Sequence, residues 1–131
     1  MILCFTGDAI MLTPPTEKYW QDNDLINLLR TCDLRCGNLE MVLSGERAFA
    51  STFCGGQWLI TNQEILEHLL RYGFDYFNTA NNHTMDFSYD GLRLTNEALD
   101  SRNILHSGSG SSLNEATKPF TRYAKEERLP F

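Results

Sequence analysis

Long apolar runs are absent from this 131-residue sequence, and positive charge is scarce. No stretch approaches the ~20 residues that span a bilayer, and residues 1–5 lack the basic segment of an export signal. There are 11 Lys and Arg against 17 Asp and Glu, which gives a formal net charge of -6. That balance repels phosphate backbones. We therefore expect a cytoplasmic chain with no membrane segment and no affinity for nucleic acid.

Paired cysteine motifs are lacking as well. Three residues separate Cys32 from Cys36, while Cys4 and Cys54 stand alone. A zinc ribbon needs two pairs with two residues between the cysteines, and no such pair exists here. Without an export signal, disulfides are not expected either. The sequence therefore predicts reduced and mostly buried thiols.

The composition is that of a globular protein, with 42% hydrophobic and 21% charged residues. A chain of this length forms one domain, residues 1–131, with a core of its own. Apolar runs typical of strands alternate with segments of helical periodicity. The predicted strands are 1–6, 33–36, 74–78, 103–106 and 119–123, with an edge strand near 51–54, and the predicted helices are 24–30, one opened by a Thr61–Glu64 capping box, and 88–102. This alternation predicts an α/β fold, a layered α/β/α arrangement around a mostly parallel sheet.

Polar residues follow three of the predicted strands. Asp8 follows the first strand, Asn38 and Glu40 follow the second, and residues 81–83 (Asn-Asn-His) follow the third. The carboxyl ends of parallel strands share one edge of the sheet, so these side chains should converge there. Their oxygen and nitrogen donors suit Mn, Fe, Zn or Mg. Ordinary turns remain the alternative at each position, since Asp and Asn are common turn residues.

Four segments in a fixed order resemble the bacterial capsule-synthesis (CapA, poly-γ-glutamate biosynthesis) family. The first two are 5–12 (FTGDAIML) and 37–40 (GNLE). The third runs from 73–75 (GFD) to 80–84 (ANNHT) and Asp86, and the fourth includes 92–99 and 108–110. The resemblance covers nearly the whole chain but only about the N-terminal half of the family's domain. It implies the fold of the calcineurin-like metallophosphatases, which carry two divalent metal ions.

The resemblance also implies roles for individual residues. Asp8 would match the first metal-binding aspartate, and Glu40 would match the metal-bridging carboxylate, with Asn38 beside it as a further ligand. Asn82 would be the amide ligand, and His83 the catalytic residue that contacts phosphate or protonates the leaving group. Two cations about 3.5–4 Å apart can activate a bound water and clamp both oxygens of an in-line displacement.

Two departures from the family pattern limit this expectation. Ile10 stands where the metallophosphatases usually have a histidine, and the 3 histidines of this sequence form no His-x-His pair. We therefore expect a truncated domain, a broken reading frame or a shortened paralogue, and only weak binding of a divalent cation. Alone it should not be a competent phosphatase, and it should self-associate or need a partner that supplies the missing half.

Three functions remain open on the sequence alone. The first is a metal-dependent phosphoesterase-like hydrolase that serves capsule or poly-γ-glutamate synthesis and acts on polyglutamate or a phosphorylated substrate. The second is a non-catalytic subunit that binds polymer or assists assembly. The third is an inactive, truncated paralogue.

Overall fold

The computed structural model describes residues 1–21, 24–53 and 56–119. Within them, strands and helices alternate along the chain. The strands are β1 (Leu3–Ala9), β2 (Leu34–Leu39), β3 (Tyr76–Asn78) and β4 (Leu105–Ser107). The helices are α1 (Asp24–Arg30), α2 (Ile65–Leu70), α3 (Ser88–Asp100) and α4 (Leu113–Ala116), and two 3-10 turns span Glu17–Trp20 and Gly45–Arg47.

The four strands form one parallel sheet in the order β1-β2-β3-β4. This confirms the predicted α/β fold with a parallel sheet. A layered α/β/α arrangement has helices on both faces of the sheet, whereas α1, α2 and α3 all pack on the same face of this sheet. Right-handed crossovers between strands that follow one another across a sheet place every helix on one side. The other face carries the exposed side chains of Leu3, Phe5 and Leu105.

The main core lies between the covered face of the sheet and helices α2 and α3. Phe77 at the centre of β3 is fully buried, as are Leu66 of α2 and Leu99 of α3. These side chains belong to one apolar cluster that also contains Leu39 of β2. Helical spacing puts the apolar residues of each helix on one stripe, and that stripe meets the sheet. The core therefore fixes β2 and β3, the two strands that lead into the polar loops.

Several local predictions needed correction or could not be compared. Thr61 does not cap α2, because its hydroxyl donates to the Leu12 carbonyl and the N-cap residue is Glu64, with no side-chain hydrogen bond to the helix. Residues 51–53 form no strand. The predicted strand 119–123 lies outside the described residues beyond Pro119. No helix of the described part is both long and apolar enough to cross a bilayer.

Three thiols, those of Cys4, Cys32 and Cys36, are free and half-buried rather than fully buried. Burial raises the pKa of the Cys36 thiol, which disfavours the reactive thiolate. Cys54 lies outside the described residues. The described thiols are therefore consistent with the expectation of reduced cysteines, although they pack less deeply than predicted.

A second cluster contains a pair of tyrosine hydroxyls 2.6 Å apart, those of Tyr19 and Tyr72. Tyr72 is buried against Ile26 and Leu29 of α1. Burial and the hydrogen bond with Tyr19 raise the pKa of Tyr72 above its usual value. The folded chain therefore holds this proton more tightly than the unfolded chain does.

We expect this pair to make stability fall in alkali. A raised folded-state pKa contributes stability that is complete below the unfolded pKa of about 10 and is lost as the pH rises above it. Urea midpoints measured from about pH 9 to 11.5 should fall less steeply for Tyr72→Phe than for wild type. Tyr89→Phe alters a tyrosine that is 79% exposed and should keep the wild-type slope. Equal slopes for wild type and Tyr72→Phe would contradict the prediction.

Candidate functional site

The carboxyl ends of three strands carry a row of polar side chains across the sheet. Asp8 of β1 lies beside Asn38 of β2, and Asn38 lies beside Asn78 of β3. The Asn38 amide nitrogen donates to Asp8 Oδ1 at 2.8 Å, and the Asn78 amide donates to Asn38 Oδ1 at 2.8 Å. The register places all three on the face opposite Phe77 and Leu39. The parallel strand direction therefore brings residues 30 and 40 positions apart into one hydrogen-bonded row.

Asn38 is the hub of this cluster. Its amide nitrogen also donates to Glu40 Oε2 at 3.1 Å, so both carboxylates share one donor group. Its oxygen accepts a second hydrogen bond, from the Asn81 amide at 3.1 Å. Asn81 additionally donates to the Leu39 carbonyl at 2.9 Å. Both the nitrogen and the oxygen of the Asn38 amide are hydrogen-bonded, so the amide holds the two carboxylates at a set separation.

The two carboxylates differ in their affinity for a proton. Hydrogen bonds from Asn38 and with Glu40 lower the pKa of Asp8. The hydrogen bond with Asp8, together with burial and the nearby Asp8 charge, raises the pKa of Glu40. Like charges held this close disfavour double ionisation. A shared proton or a bound cation would therefore relieve the repulsion between the two carboxylates.

His83 faces the same pair from the loop after β3. The His83 ring is buried, and its Nε2 lies 3.7 Å from Glu40 Oε1. Its Nδ1 lies 2.8 Å from Asp86 Oδ2. The His83 backbone nitrogen donates to Asn81 Oδ1 at 3.0 Å, which ties the loop to the Asn38 cluster. The imidazole thus lies between two carboxylates, with Nε2 on the side of Glu40 and Nδ1 on the side of Asp86.

Four of the five residues singled out from the sequence therefore lie together, namely Asp8, Asn38, Glu40 and His83. Asn82 is exposed, and in the described part of the chain its side chain makes no hydrogen bond to this cluster. Its neighbour Asn81 makes those contacts instead. Sequence reasoning missed Asn78, and a polar residue at the end of an apolar strand was the signal that could have revealed it.

His106, the histidine of β4, stands apart from this cluster. It pairs with Phe77 in the sheet register and so lies on the helix-covered face. Its Nδ1 lies 3.0 Å from the Ile104 carbonyl oxygen, and its Nε2 lies 4.0 Å from Asp100. Among the described histidines, His83 is the one at the cluster.

The donor set fits a divalent cation in part. Asp8 and Glu40 offer carboxylate oxygens and His83 offers Nε2, a set that suits borderline and hard cations. The Asn38 amide presents its nitrogen to the carboxylates, so its oxygen is directed elsewhere. Within residues 1–21, 24–53 and 56–119, no three His, Cys, Asp or Glu side chains converge closely enough to form a metal cage. The negative charge of the cluster therefore favours cation binding, whereas the positions of its described side chains do not form a complete coordination shell.

An open depression of about 670 Å³ adjoins the cluster. Asn81 and Thr84 form its side nearest the carboxylates, and Met85, Leu92 and Leu113 supply apolar surface. Hydroxyl groups of the 108–112 segment complete it, and Gly108 adopts a φ of +113° where a Cβ would lie 2.6 Å from the Ala80 nitrogen. None of the described residues that line it is charged. A volume of this size accommodates a small ligand or one unit of a polymer.

Comparison with known proteins adds a family to this geometry. The family model of the bacterial capsule synthesis protein PGA_cap matches residues 3–131. Two proteins of Sinorhizobium fredii (strain NBRC 101917 / NGR234) are similar to this chain, with the names Uncharacterized protein y4sH and Uncharacterized protein y4uA. Each is 34% identical over 98 residues, which is 72% of this chain and 21% of the relative. The chain thus spans about a fifth of the length of the curated relatives it matches.

Proposed function

Given that this chain belongs to the family of bacterial capsule synthesis proteins, we propose that it serves capsule polymer synthesis through a divalent-metal site at the carboxyl edge of its sheet. Asp8 and Glu40 would hold the cation, with His83 beside it. The observation that carries the proposal is the carboxylate pair on one Asn38 amide, with hydrogen bonds of 2.8 and 3.1 Å. The raised pKa of Glu40 supports it, because a bound cation relieves the same repulsion that a proton relieves.

Asn38 would align the two carboxylates rather than bind through its oxygen as it is now oriented. A turn of its amide would direct that oxygen to the cation at the cost of the bonds from Asn78 and Asn81. Asn82, exposed next to His83, stays a predicted ligand, and the loop would have to move for it to reach the cation. With these residues added, the shell reaches the four or more ligands that such cations require.

A cation bound here would supply Lewis acidity and a bound water of lowered pKa. The protein's own contribution would come from His83, whose Nε2 faces the carboxylate pair and could deliver a proton to a leaving oxygen. The neighbouring depression would hold the rest of the substrate. For these reasons we propose a hydrolytic reaction whose substrate is a phosphorylated intermediate of polymer synthesis.

The test is calorimetric titration of the chain with Mn²⁺. We expect weak binding, with a dissociation constant on the order of 10⁻⁴ M. Asp8→Asn and Glu40→Gln should each weaken it by about 10- to 100-fold. Asp90→Asn changes an exposed acid on α3 and should leave binding unchanged. Binding that survives both Asp8→Asn and Glu40→Gln would refute the proposed site.

A polymer-binding or assembly role is the second candidate, and the size of the depression favours it, because about 670 Å³ accommodates one unit of a polymer. A polyglutamate chain carries one carboxylate per residue, while the described lining residues offer it no cation. Polymer binding would therefore depend on the cation at Asp8 and Glu40. Hydrolysis of an aryl phosphate in Mn²⁺, lost in His83→Ala, favours the enzyme, whereas Mn²⁺-dependent retention of polyglutamate without turnover favours the binding subunit.

A further inference from the structure

Two thiols lie together at the end of the sheet opposite the polar cluster. Cys4 belongs to β1, and Cys32 follows α1 in the turn that leads into β2. The two side chains share a hydrogen bond, although they are far apart in the sequence. Both residues are half-buried, so a small molecule can reach their sulfur atoms. Contact between two thiols is the first requirement for a disulfide.

The backbone around the two cysteines holds them in place. The Cys32 nitrogen donates to the Leu29 carbonyl at 3.1 Å, which fixes Cys32 to the last turn of α1. The Asp33 nitrogen donates to the Ile2 carbonyl at 2.8 Å, and the Ile2 nitrogen donates to the Asp33 carboxylate. The segments that carry the two cysteines are therefore bonded to each other, and their contact does not depend on side-chain conformation alone.

The third described thiol, that of Cys36, lies on the other face of the sheet. Cys4 is opposite Arg35 in the strand register, and its side chain packs against the apolar cluster beneath α1. Cys36 is opposite Phe5, whose ring lies on the uncovered face. Successive side chains of a strand point to opposite faces, so the sheet separates Cys36 from Cys32. The geometry thus selects one pair among the three described thiols.

We propose that Cys4 and Cys32 form a disulfide when the folded chain meets a low-molecular-weight disulfide as oxidant. The Cys32 thiolate attacks one sulfur of the oxidant and breaks its S–S bond, and the released thiolate takes up the proton that Cys32 lost. The Cys4 thiol then loses its proton, attacks the Cys32 sulfur of the mixed disulfide and releases the second thiolate, which takes up that proton. Two thiols of the chain are oxidised, and the oxidant is reduced to two thiols.

The order of attack follows from the surroundings of Cys4. Burial and the hydrogen bond with Cys32 raise the pKa of Cys4, which disfavours its thiolate as the first nucleophile. The product joins the end of α1 covalently to β1 and restricts the unfolded chain. It lies at the amino end of the parallel strands, away from Asp8 and Glu40. The inference is therefore independent of the proposed metal site.

The test is peptide mapping of the folded chain after incubation with oxidised glutathione. Remaining thiols are blocked by alkylation, and the protein is then digested with trypsin, which cleaves after Lys and Arg. Residues 1–18, 31–35, 36–47 and 48–71 then form four peptides that hold one cysteine each. We expect the main disulfide product to join 1–18 to 31–35. In concentrated urea the product should shift to 31–35 joined to 36–47, because a short loop closes most readily in an unfolded chain.

Single substitutions provide the controls. Cys36→Ser should keep the wild-type yield of the joined peptides, whereas Cys4→Ser should lose them and retain glutathione on Cys32. A folded wild-type chain whose 1–18 and 31–35 peptides stay separate would overturn the proposal. The same holds for a main product that contains 36–47 or 48–71, or for joined 1–18 and 31–35 that are equally abundant in urea. If a variant does not fold, the wild-type maps with and without urea decide.

Discussion

Phe77→Ala is expected to destabilise the chain by about 3–5 kcal/mol. Phe77 is fully buried in the middle of β3, and its ring centroid lies 5.0 Å from that of Phe74. Both rings cover Gly37 of β2, where an added Cβ would lie 2.9 Å from Phe74 and 3.3 Å from Phe77. Truncation would therefore open a cavity between the two strands that lead into the site.

Urea denaturation followed by circular dichroism measures this loss. The midpoint should fall at an unchanged slope, the sign of a change in stability alone. Phe49→Ala makes the same chemical change at a ring that is 91% exposed, and its effect should stay within about 0.5 kcal/mol. Similar losses in both variants would mean that Phe77 is not the centre of the core.

Asp75→Ala is expected to cost about 3 kcal/mol, because it leaves a largely buried guanidinium without its carboxylate. Arg35 meets Asp75 Oδ2 through its backbone nitrogen at 3.0 Å, through Nε at 2.8 Å and through Nη2 at 2.7 Å. The two side chains are 18% and 11% exposed. The pair joins the start of β2 to the residue before β3, at the end of the sheet opposite the polar cluster.

The matched control is an ion pair on the surface of α3. Glu97 lies 2.8 Å from Arg93, and both side chains are more than half exposed, at 56% and 55%. Water screens that pair, so Glu97→Ala should change stability by at most about 0.5 kcal/mol. The loss of stability in Asp75→Asn should lie between those in Asp75→Ala and Glu97→Ala, because the amide keeps a hydrogen-bond acceptor but loses the negative charge. Equal effects of Asp75→Ala and Glu97→Ala would show that burial adds nothing to the Arg35 pair.

Much of the fold follows from local patterns in the chain. Helix α1 has the bounds that its apolar spacing predicts, Asp24–Arg30. Gly73 adopts a φ of +83°, as expected just after a helix. The strands were harder to delimit, and β2 runs through Leu39 because the Gly37–Asn38 pair, which reads as a turn, continues the ladder. Pairing with two neighbouring strands outweighed the local preference of these two residues.

The site divides in a similar way. Asp8, Asn38, Glu40 and His83 could be grouped from the sequence because each lies at or just beyond the carboxyl end of a strand, and these strands run in the same direction. The choice between Asn81 and Asn82 could not, because adjacent residues of a loop point in different directions and only the folded loop selects one. The sequence also did not reveal that Asp86 is buried, with 1% of its surface exposed, because an acidic residue just before a helix also suits the helix N-terminus.

The sequence by itself therefore determined the class of fold, the family and most of the polar residues at one edge of the sheet. Periodicity and strand direction are properties of short segments, and they survive without knowledge of distant contacts. Only the tertiary structure decided which amide meets Asn38, which carboxylate holds the proton more tightly, and which nitrogen of His83 faces Glu40. Those outcomes depend on register and packing between residues that are 30 or more positions apart in the chain. Hydrogen bonds over such separations are fixed by the whole fold, because no local pattern specifies them.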